Sequence, residues 1–346
     1  MTSLSRSGGR GNKQGGQGQP DHTAADYYFD SYAHFGIHEE MLKDTVRTRT
    51  YQQAIQQNSQ LIRGKIVLDV GCGTGILSMF AAQAGAAHVY GIEMSAIADQ
   101  AQEIIADNGF SNAITIIKGK VEEISLPVEK VDVIISEWMG YFLLYESMLD
   151  TVLFARDRWL APGGALLPDK ASLYLCAIED AEYKHEKIDY WDNVYGLNFS
   201  SIRRLAMAEP LVDVVEPDQV ATDACEVLTL DLNTMAKTDA TFQVPFRLTA
   251  RRNDYLHAIV AYFTVWFSAC HKPLSIPTSP SVRRTHWKQT VLYLEDEITV
   301  CQDEQVTGQL SCTPNKSNPR DLDIAVDYEC NGARGNWQRH QTFRMR

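Results

Sequence analysis

Residues 136–148, Ser-Glu-Trp-Met-Gly-Tyr-Phe-Leu-Leu-Tyr-Glu-Ser-Met, place two acids, Glu137 and Glu146, in a segment that is otherwise apolar and aromatic and holds no Lys or Arg. The segment follows Val131-Asp132-Val133-Ile134-Ile135, a β-branched run that reads as a buried strand, so Glu137 emerges just past a strand's carboxyl end. In open α/β sheets that edge is where ligands bind. Burying an unpaired carboxylate is heavily disfavoured, so two of them together form a receptor for a positively charged group. The plainer alternative is a structural salt-bridge network with Arg156 and Arg158.

A second chemical feature precedes the acids. Val70-Gly71-Cys72-Gly73-Thr74-Gly75-Ile76 lies between a predicted strand and a predicted helix, where glycines let backbone approach a ligand closely. Ile76 stands where a dinucleotide fingerprint needs its third glycine, and the Gly-x-Gly-x-Gly spacing behind Asp69 is closer to that of S-adenosylmethionine enzymes. Taken alone, the loop is also readable as a bare turn. Glu93, at the end of the next strand, is placed to accept both hydroxyls of a ribose; otherwise it is an exposed strand-end acid. Val121-Glu122, just past the third strand, would face an adenine ring unless Glu122 and Glu123 are simply solvated.

These positions need a scaffold. From Lys65 onwards strands at 66–70, 89–93, 114–117 and 131–135 alternate with helices starting at 76 and 97. A helix over 149–160, stopped by Pro162-Gly163-Gly164, precedes a strand at 165–167. The alternation predicts an α/β fold with a doubly wound parallel sheet. After Pro168, strand-like runs at 172–178, 226–232, 240–248, 258–267, 289–294 and 322–328 predict a largely antiparallel second domain, a sandwich or barrel. Residues 183–210 interrupt it with an aromatic, charged stretch of helical character. At the other end, residues 1–24 are a Gly-, Gln- and Arg-rich tail expected to be disordered. Aromatics at 26–32 then lead into one helical pattern through Met41, Leu42, Val46 and Tyr51 and suggest a docking segment. The expected organisation is a tail (1–24), a helical segment (25–60), a cofactor-binding domain (61–168) and a β domain (169–346).

The 346-residue length favours two domains, and a hydrophobic share of 45% with 22% charged residues is ordinary for a globular chain. Thirty-two Lys and Arg against 44 Asp and Glu give a net charge of −12, which disfavours non-specific binding to nucleic acid and favours cationic partners. Seven cysteines without a Cys-x-x-Cys pair support neither a disulfide framework nor a zinc site, so a reducing compartment and no metal are expected. The longest charge-free apolar run, 255–270, is too short for a membrane span and reads as a core strand, and no secretory leader is expected.

With strand, glycine loop, ribose acid and acidic hairpin in this order, the chain resembles the protein arginine methyltransferases that make asymmetric dimethylarginine, from about residue 27 to the carboxyl terminus. The motifs are Val-Leu-Asp-Val-Gly-Cys-Gly-Thr-Gly at 67–75, Ser-Glu-Trp-Met-Gly-Tyr at 136–141 with Tyr-Glu-Ser-Met at 145–148, and Thr285-His286-Trp287. The resemblance implies an S-adenosylmethionine-dependent methyltransferase domain followed by an antiparallel β-barrel. Residues 183–210 would be a dimerisation arm in a ring-shaped homodimer, with higher oligomers as an extension. Tyr28, Phe29, His38, Arg47, Asp69, Gly71, Gly73, Glu93, Met94, Val121 and Glu122 would serve the cofactor, with Arg47 pairing its methionine carboxylate. Tyr28, Phe29 and Tyr32 would form a segment closing over the site. Tyr32, Met41, Tyr141, Met148 and Trp287 would fall on the substrate side, Met41 and Met148 shaping an arginine pocket. Glu137 and Glu146 would be the catalytic acids, beside an Asp–His pair of Asp44 and His286. The implied product of the cofactor is S-adenosylhomocysteine. The implied partners are protein substrates with Gly/Arg-rich or basic tails, including histones and RNA-binding proteins, with no direct nucleic-acid or membrane partner. The implied location is nucleus and cytoplasm.

The residues suit that chemistry. A guanidinium is planar and permanently charged, and its paired donors match two carboxylates fork to fork. Its delocalised charge makes the nitrogens poor nucleophiles, and a pKa of about 12.5–13.8 makes prior deprotonation costly. Acids that hold the non-reacting nitrogens would leave the attacking lone pair freer, and either Glu146 or the Asp44–His286 pair would take the proton afterwards. Asp44 and His286 are equally readable as a structural hydrogen bond, the methionines as core filler, and Trp287, Tyr255 and Trp266 as core. A methyltransferase of another acceptor is opposed by the net acidity and the lack of an Asn-Pro-Pro-Tyr motif. A non-catalytic arginine-tail binder would be favoured by loss of one hairpin acid, and both are present. Arg10, set among glycines, is itself a candidate for methylation in trans.

Overall fold

The computed structural model describes residues 33–346. The tail with Arg10, and the segment carrying Tyr28, Phe29 and Tyr32, lie outside the described residues.

Strands β1 (Ile66–Val70), β2 (His88–Glu93), β3 (Ile114–Lys118), β4 (Val131–Ile135) and β5 (Leu160–Leu167) form a parallel sheet in the order β3-β2-β1-β4-β5. The central strands β1 and β4 are Val/Ile/Leu-rich and almost wholly buried, as a parallel sheet covered on both faces requires. Strand order reverses between β1 and β4, so the loops leaving these neighbours diverge and open a crevice beyond their carboxyl ends. Loop 71–75 leaves β1 and hairpin 136–148 leaves β4. The two chemically conspicuous motifs therefore share that crevice.

Helices α1 (Phe35–Lys43), α2 (Thr45–Gln56), α3 (Ser59–Ile62), α4 (Ile76–Gln83), α5 (Ile97–Asp107) and α6 (Leu149–Trp159) complete this half of the chain. Where the sequence predicts one helix through Met41 and Tyr51, there are two, parted at Asp44. Asp44 has an extended backbone (ψ 95°); its N–H closes α1 on the carbonyl of Glu40, and its carboxylate accepts the Arg47 N–H at 3.0 Å to cap α2. A short acceptor side chain that can bond its own chain three residues on favours a helix start over a helix interior. A second difference lies at Pro162-Gly163-Gly164, which falls inside β5 instead of before it. Val131 pairs with Leu160 and Val133 with Ala165, so β5 bulges there, with Gly163 at φ 76°.

Beyond a cis Leu167–Pro168 bond, two antiparallel sheets follow. The first runs β7 (Leu211–Asp213), β12 (Gln289–Val300), β10 (Asp254–Phe267), β6 (Lys170–Ile178), β8 (Cys225–Asp231), with β11 (Leu274–Pro277) also on β10. The second runs β15 (Gly335–Met345), β14 (Leu322–Gly332), β13 (Gln305–Pro314), β9 (Phe242–Thr249). Gln341 of β15 accepts the Glu295 N–H at 3.1 Å and donates to the Tyr293 carbonyl at 2.8 Å, joining the sheets on one side. A bridge between Thr222 and Ala250 joins them on the other, which makes a barrel. Strands β7, β11, β13 and β15 were not anticipated. β13 and β15 alternate buried with exposed positions and so carry no apolar run. Tyr255, read as core, is 48% exposed at the start of β10.

The 183–210 stretch is helical in pieces: a π turn at Lys184–Ile188, a 3-10 turn at Asp189–Asp192 and a helix at Ser200–Ala208. Arg203 ties them together through Asp189 at 2.7 Å and Asp192 at 3.2 Å. One hydrophobic core runs through both domains, with Tyr51 of α2 packed edge-on to Phe267 of the barrel at 5.0 Å.

Candidate active site

A cavity of about 320 Å³ fills the crevice. Loop 71–75, the ends of β2 and β3, the hairpin and helices α1 and α2 all contribute to its wall, and Arg320 reaches it from the barrel.

The hairpin holds an unusual backbone. A side chain at Gly140 would place its Cβ 1.6 Å from the Tyr145 carbonyl oxygen, so only glycine permits the close pairing of Gly140 with Leu143 and Tyr141 with Tyr145. Phe142, Leu143 and Glu146 take positive φ of 52°, 66° and 52° without being glycine. Such conformations persist where the surroundings over-determine them. Here Tyr51 Oη donates to the Ser136 carbonyl at 2.9 Å and Ser136 Oγ to the Val70 carbonyl at 2.8 Å. Trp287 Nε1 donates to the Met139 carbonyl at 3.1 Å, and the Glu146 N–H to the Arg320 carbonyl at 3.2 Å.

The missing cation for Glu137 comes from α2. Arg47 donates from Nε (3.1 Å) and Nη2 (3.0 Å) to Oε2 of Glu137, and both side chains are buried. Arg156 is occupied elsewhere, donating to the carbonyls of Leu232 and Met235 at 2.6 and 2.9 Å, so it is not the partner of the hairpin acids. Glu146 is different: burial pushes its carboxyl above the ordinary range, the Arg320 charge opposes that, and Asp321 adds to it.

Asp44 and His286 do meet. Asp44 Oδ2 lies 2.8 Å from His286 Nδ1 and accepts the His286 backbone N–H at 2.9 Å. Burial pushes the Asp44 carboxyl up, but hydrogen bonds from the His286 ring and from the Arg47 and His286 N–H groups together hold it below the usual range. Neither residue is part of the cavity wall. Asp44 caps the helix that carries Arg47 and fastens residues 285–287 to it, which is the structural hydrogen bond that the sequence also allowed. Trp287, expected on the substrate side, is 3% exposed, packed against Phe263, and braces the hairpin through its bond to Met139. Met41 and Met148 do line the cavity, whereas Tyr141, 36% exposed, lies outside its wall.

On the other side, Glu93 is held by both oxygens: Oε2 accepts the Gly73 N–H at 2.9 Å and Oε1 the Ser95 N–H at 2.8 Å. Gly71 takes a φ of 70°, a left-handed conformation that a side chain would strain, and a Cβ there would also displace the end of Met148. His38 packs over Gly73, and Met94, Val121 and Glu122 continue the wall, with Glu122 Oε1 accepting from Thr151 Oγ1 at 2.9 Å. An oriented carboxylate, an apolar floor and the Arg47 cation suit a ligand with a ribose, an adenine and an amino-acid carboxylate. Asp69 does not face that space. It is fully buried in β1, its Oδ2 accepts from Ser78 Oγ at 2.7 Å, and burial raises its carboxyl to about 7.

A methyltransferase domain model matches residues 67–164, and a model of the arginine methyltransferase oligomerization subdomain matches residues 169–333. Protein arginine N-methyltransferase 1 of Chlamydomonas reinhardtii is 65% identical over 328 residues, 95% of either chain. Its namesake in Schizosaccharomyces pombe is 60% identical over 309 residues, 89% of this chain and 91% of that one. This chain belongs to the protein arginine N-methyltransferase family. A solved Trypanosoma brucei PRMT1 enzyme-prozyme heterotetrameric complex with AdoHcy matches with a TM-score of 0.90 at 50% identity, covering 92% of this chain and 100% of that one. The protein is a type I arginine methyltransferase that uses S-adenosylmethionine.

Several wall residues of this methyltransferase escaped the sequence reading. Ser147 and Thr151 sit within or just beyond the acidic hairpin, and Thr74 within the glycine loop, so motif adjacency could have found them. Nothing in the sequence pointed to Arg320, which only the barrel's docking brings to the cavity.

Proposed function

We propose that this methyltransferase modifies arginines in Gly/Arg-rich and basic tails, histones and RNA-binding proteins among them, with Glu137 and Glu146 receiving the guanidinium. The observation that carries this reading is the asymmetry at Glu137. Arg47 takes only Oε2, so Oε1 and the carboxylate of Glu146 offer a cationic fork two acceptors in one cavity wall. S-adenosylmethionine supplies an electrophilic methyl group. Glu93 is set to accept from the ribose hydroxyls, Val121 and Glu122 to border the adenine, and Arg47 to meet the methionine carboxylate while still bound to Glu137. Met41 and Met148 border the substrate side chain. Glu146 takes the proton, because its raised carboxyl stands nearer neutral pH than an ordinary glutamate and is the better base there. The net charge of −12 steers basic tails to the site.

The arm is assigned to a homodimer contact. It exposes Tyr195 (97%), Leu197 (63%) and Leu205 (59%), large apolar groups that a monomer rarely leaves in water together. The seven cysteines are free thiols, which suits the reducing nucleus and cytoplasm we assign. The test is mass spectrometry of a Gly-Arg-Gly peptide incubated with enzyme and S-adenosylmethionine. A gain of two methyl groups, with neutral loss of dimethylamine on fragmentation, is expected. No gain, with cofactor binding intact by calorimetry, would overturn the assigned substrate class.

A further inference from the structure

Arg320 is the one cavity residue, among those described, that the β domain supplies. It sits on the turn between β13 and β14, and that turn is stiffened by its own side chains. Asn315 Nδ2 donates to both oxygens of Asp323 at 3.0 and 2.9 Å, while its Oδ1 accepts the Ser317 N–H at 2.9 Å. Asn318 Nδ2 donates to Asp321 Oδ1 at 2.7 Å. The turn therefore presents residue 320 as a fixed point. Its carbonyl accepts the N–H of Glu146, the hairpin acid whose own backbone stands at φ 52°.

We propose that Arg320 is a positioning residue for Glu146: its carbonyl holds the left-handed turn, and its guanidinium charge keeps the Glu146 carboxylate ionised for substrate. The inference rests on reading Glu146 as an acid of the guanidinium clamp. Among the described residues, the groups around Glu146 leave this work to Arg320. On its own hairpin Tyr141 and Tyr145 are phenols pushed upward, Tyr145 to about 12, and thus neutral. Glu137 is already bonded by Arg47. Glu40 of α1 adds negative charge near Tyr141, and Asp321 adds it beside Glu146. Burial and Asp321 both favour the protonated acid, and the Arg320 charge opposes them.

The test compares Arg320→Gln, Arg320→Lys and Asp321→Asn in the full chain, reading kcat/KM for a Gly-Arg-Gly peptide against pH, with cofactor affinity by calorimetry. A substitution at 320 leaves the backbone carbonyl in place, so the charge is what each variant probes. Arg320→Gln should move the acid limb upward by about one unit, which on that limb is about a tenfold loss that fades at higher pH. Arg320→Lys should return the limb to its wild-type position. Asp321→Asn should move it the opposite way, which keeps the idea testable even if the glutamine variant folds poorly. A pH-independent loss that lysine does not rescue, or an unmoved limb in Asp321→Asn, would show the turn to be scaffold and overturn the proposal. A wild-type enzyme without turnover on the peptide would instead overturn the substrate reading beneath it.

Discussion

Glu137, on the outgoing arm of the hairpin, is buried against Arg47, whereas Glu146, on the returning arm, leans on a barrel turn and carries a carboxyl raised by burial. The first acid has its countercharge from within its own half of the molecule. The second depends on the other domain and, among the described residues, has no comparable two-bond partner in the methyltransferase half. A carboxylate bonded twice by one guanidinium is fixed in place and suits the orienting of a cation. One whose burial outweighs its countercharge changes protonation more easily and suits accepting a proton. The hairpin thus places two chemically identical side chains in two environments, and on the proposed reading the work is divided between them.

That division can be broken most severely at Glu146. Glu146→Gln should lower kcat about a thousandfold, within the range of a lost buried charge pair, while leaving cofactor affinity and thermal stability near wild type. A variant that keeps most of its rate would remove the clamp reading altogether. Glu137→Gln should next show the structural side of the contrast, because it leaves Arg47 buried without its countercharge. A stability loss of about 3 kcal/mol by urea unfolding is expected there, against little for Glu146→Gln. Equal losses in both variants would erase the distinction between the arms.

Asp69 sharpens the comparison with a smaller effect, as a buried carboxylate held by a serine hydroxyl instead of an arginine. Its folded-state value of about 7 lies above that of the unfolded chain. The folded protein therefore keeps a proton that the unfolded chain releases. Stability from this group is full below the unfolded value and is lost as pH rises toward 7. The slope in that window is up to about 1.4 kcal/mol per pH unit, and Asp69→Asn should flatten it in urea unfolding series. Parallel wild-type and variant curves would place a counterion beside Asp69.

Much of this was legible along the chain. The buried β-branched runs at β1 and β4, with a glycine loop behind one and two acids behind the other, are local patterns, and local patterns survive folding. The polar, alternating strands β13 and β15 were not legible, because half their positions face water and their identity comes from pairing with β14. The break at Asp44 was missed for a different reason. The capping signal is local, the Asp44 carboxylate accepting the Arg47 N–H, but it was outweighed by the apolar pattern that runs on through Val46 and Tyr51.

What the sequence by itself determined is the chemistry available: an acid pair with no neighbouring cation, a glycine turn and a strand-end acid ahead of it. Those follow from residue type and short spacing. Tertiary structure alone decided which cation each acid meets. Arg47 arrives from α2 and Arg320 from the barrel. Neither proximity is encoded in local spacing, and the charge state of a buried carboxylate is set by whichever cation the fold brings within hydrogen-bonding or Coulombic reach.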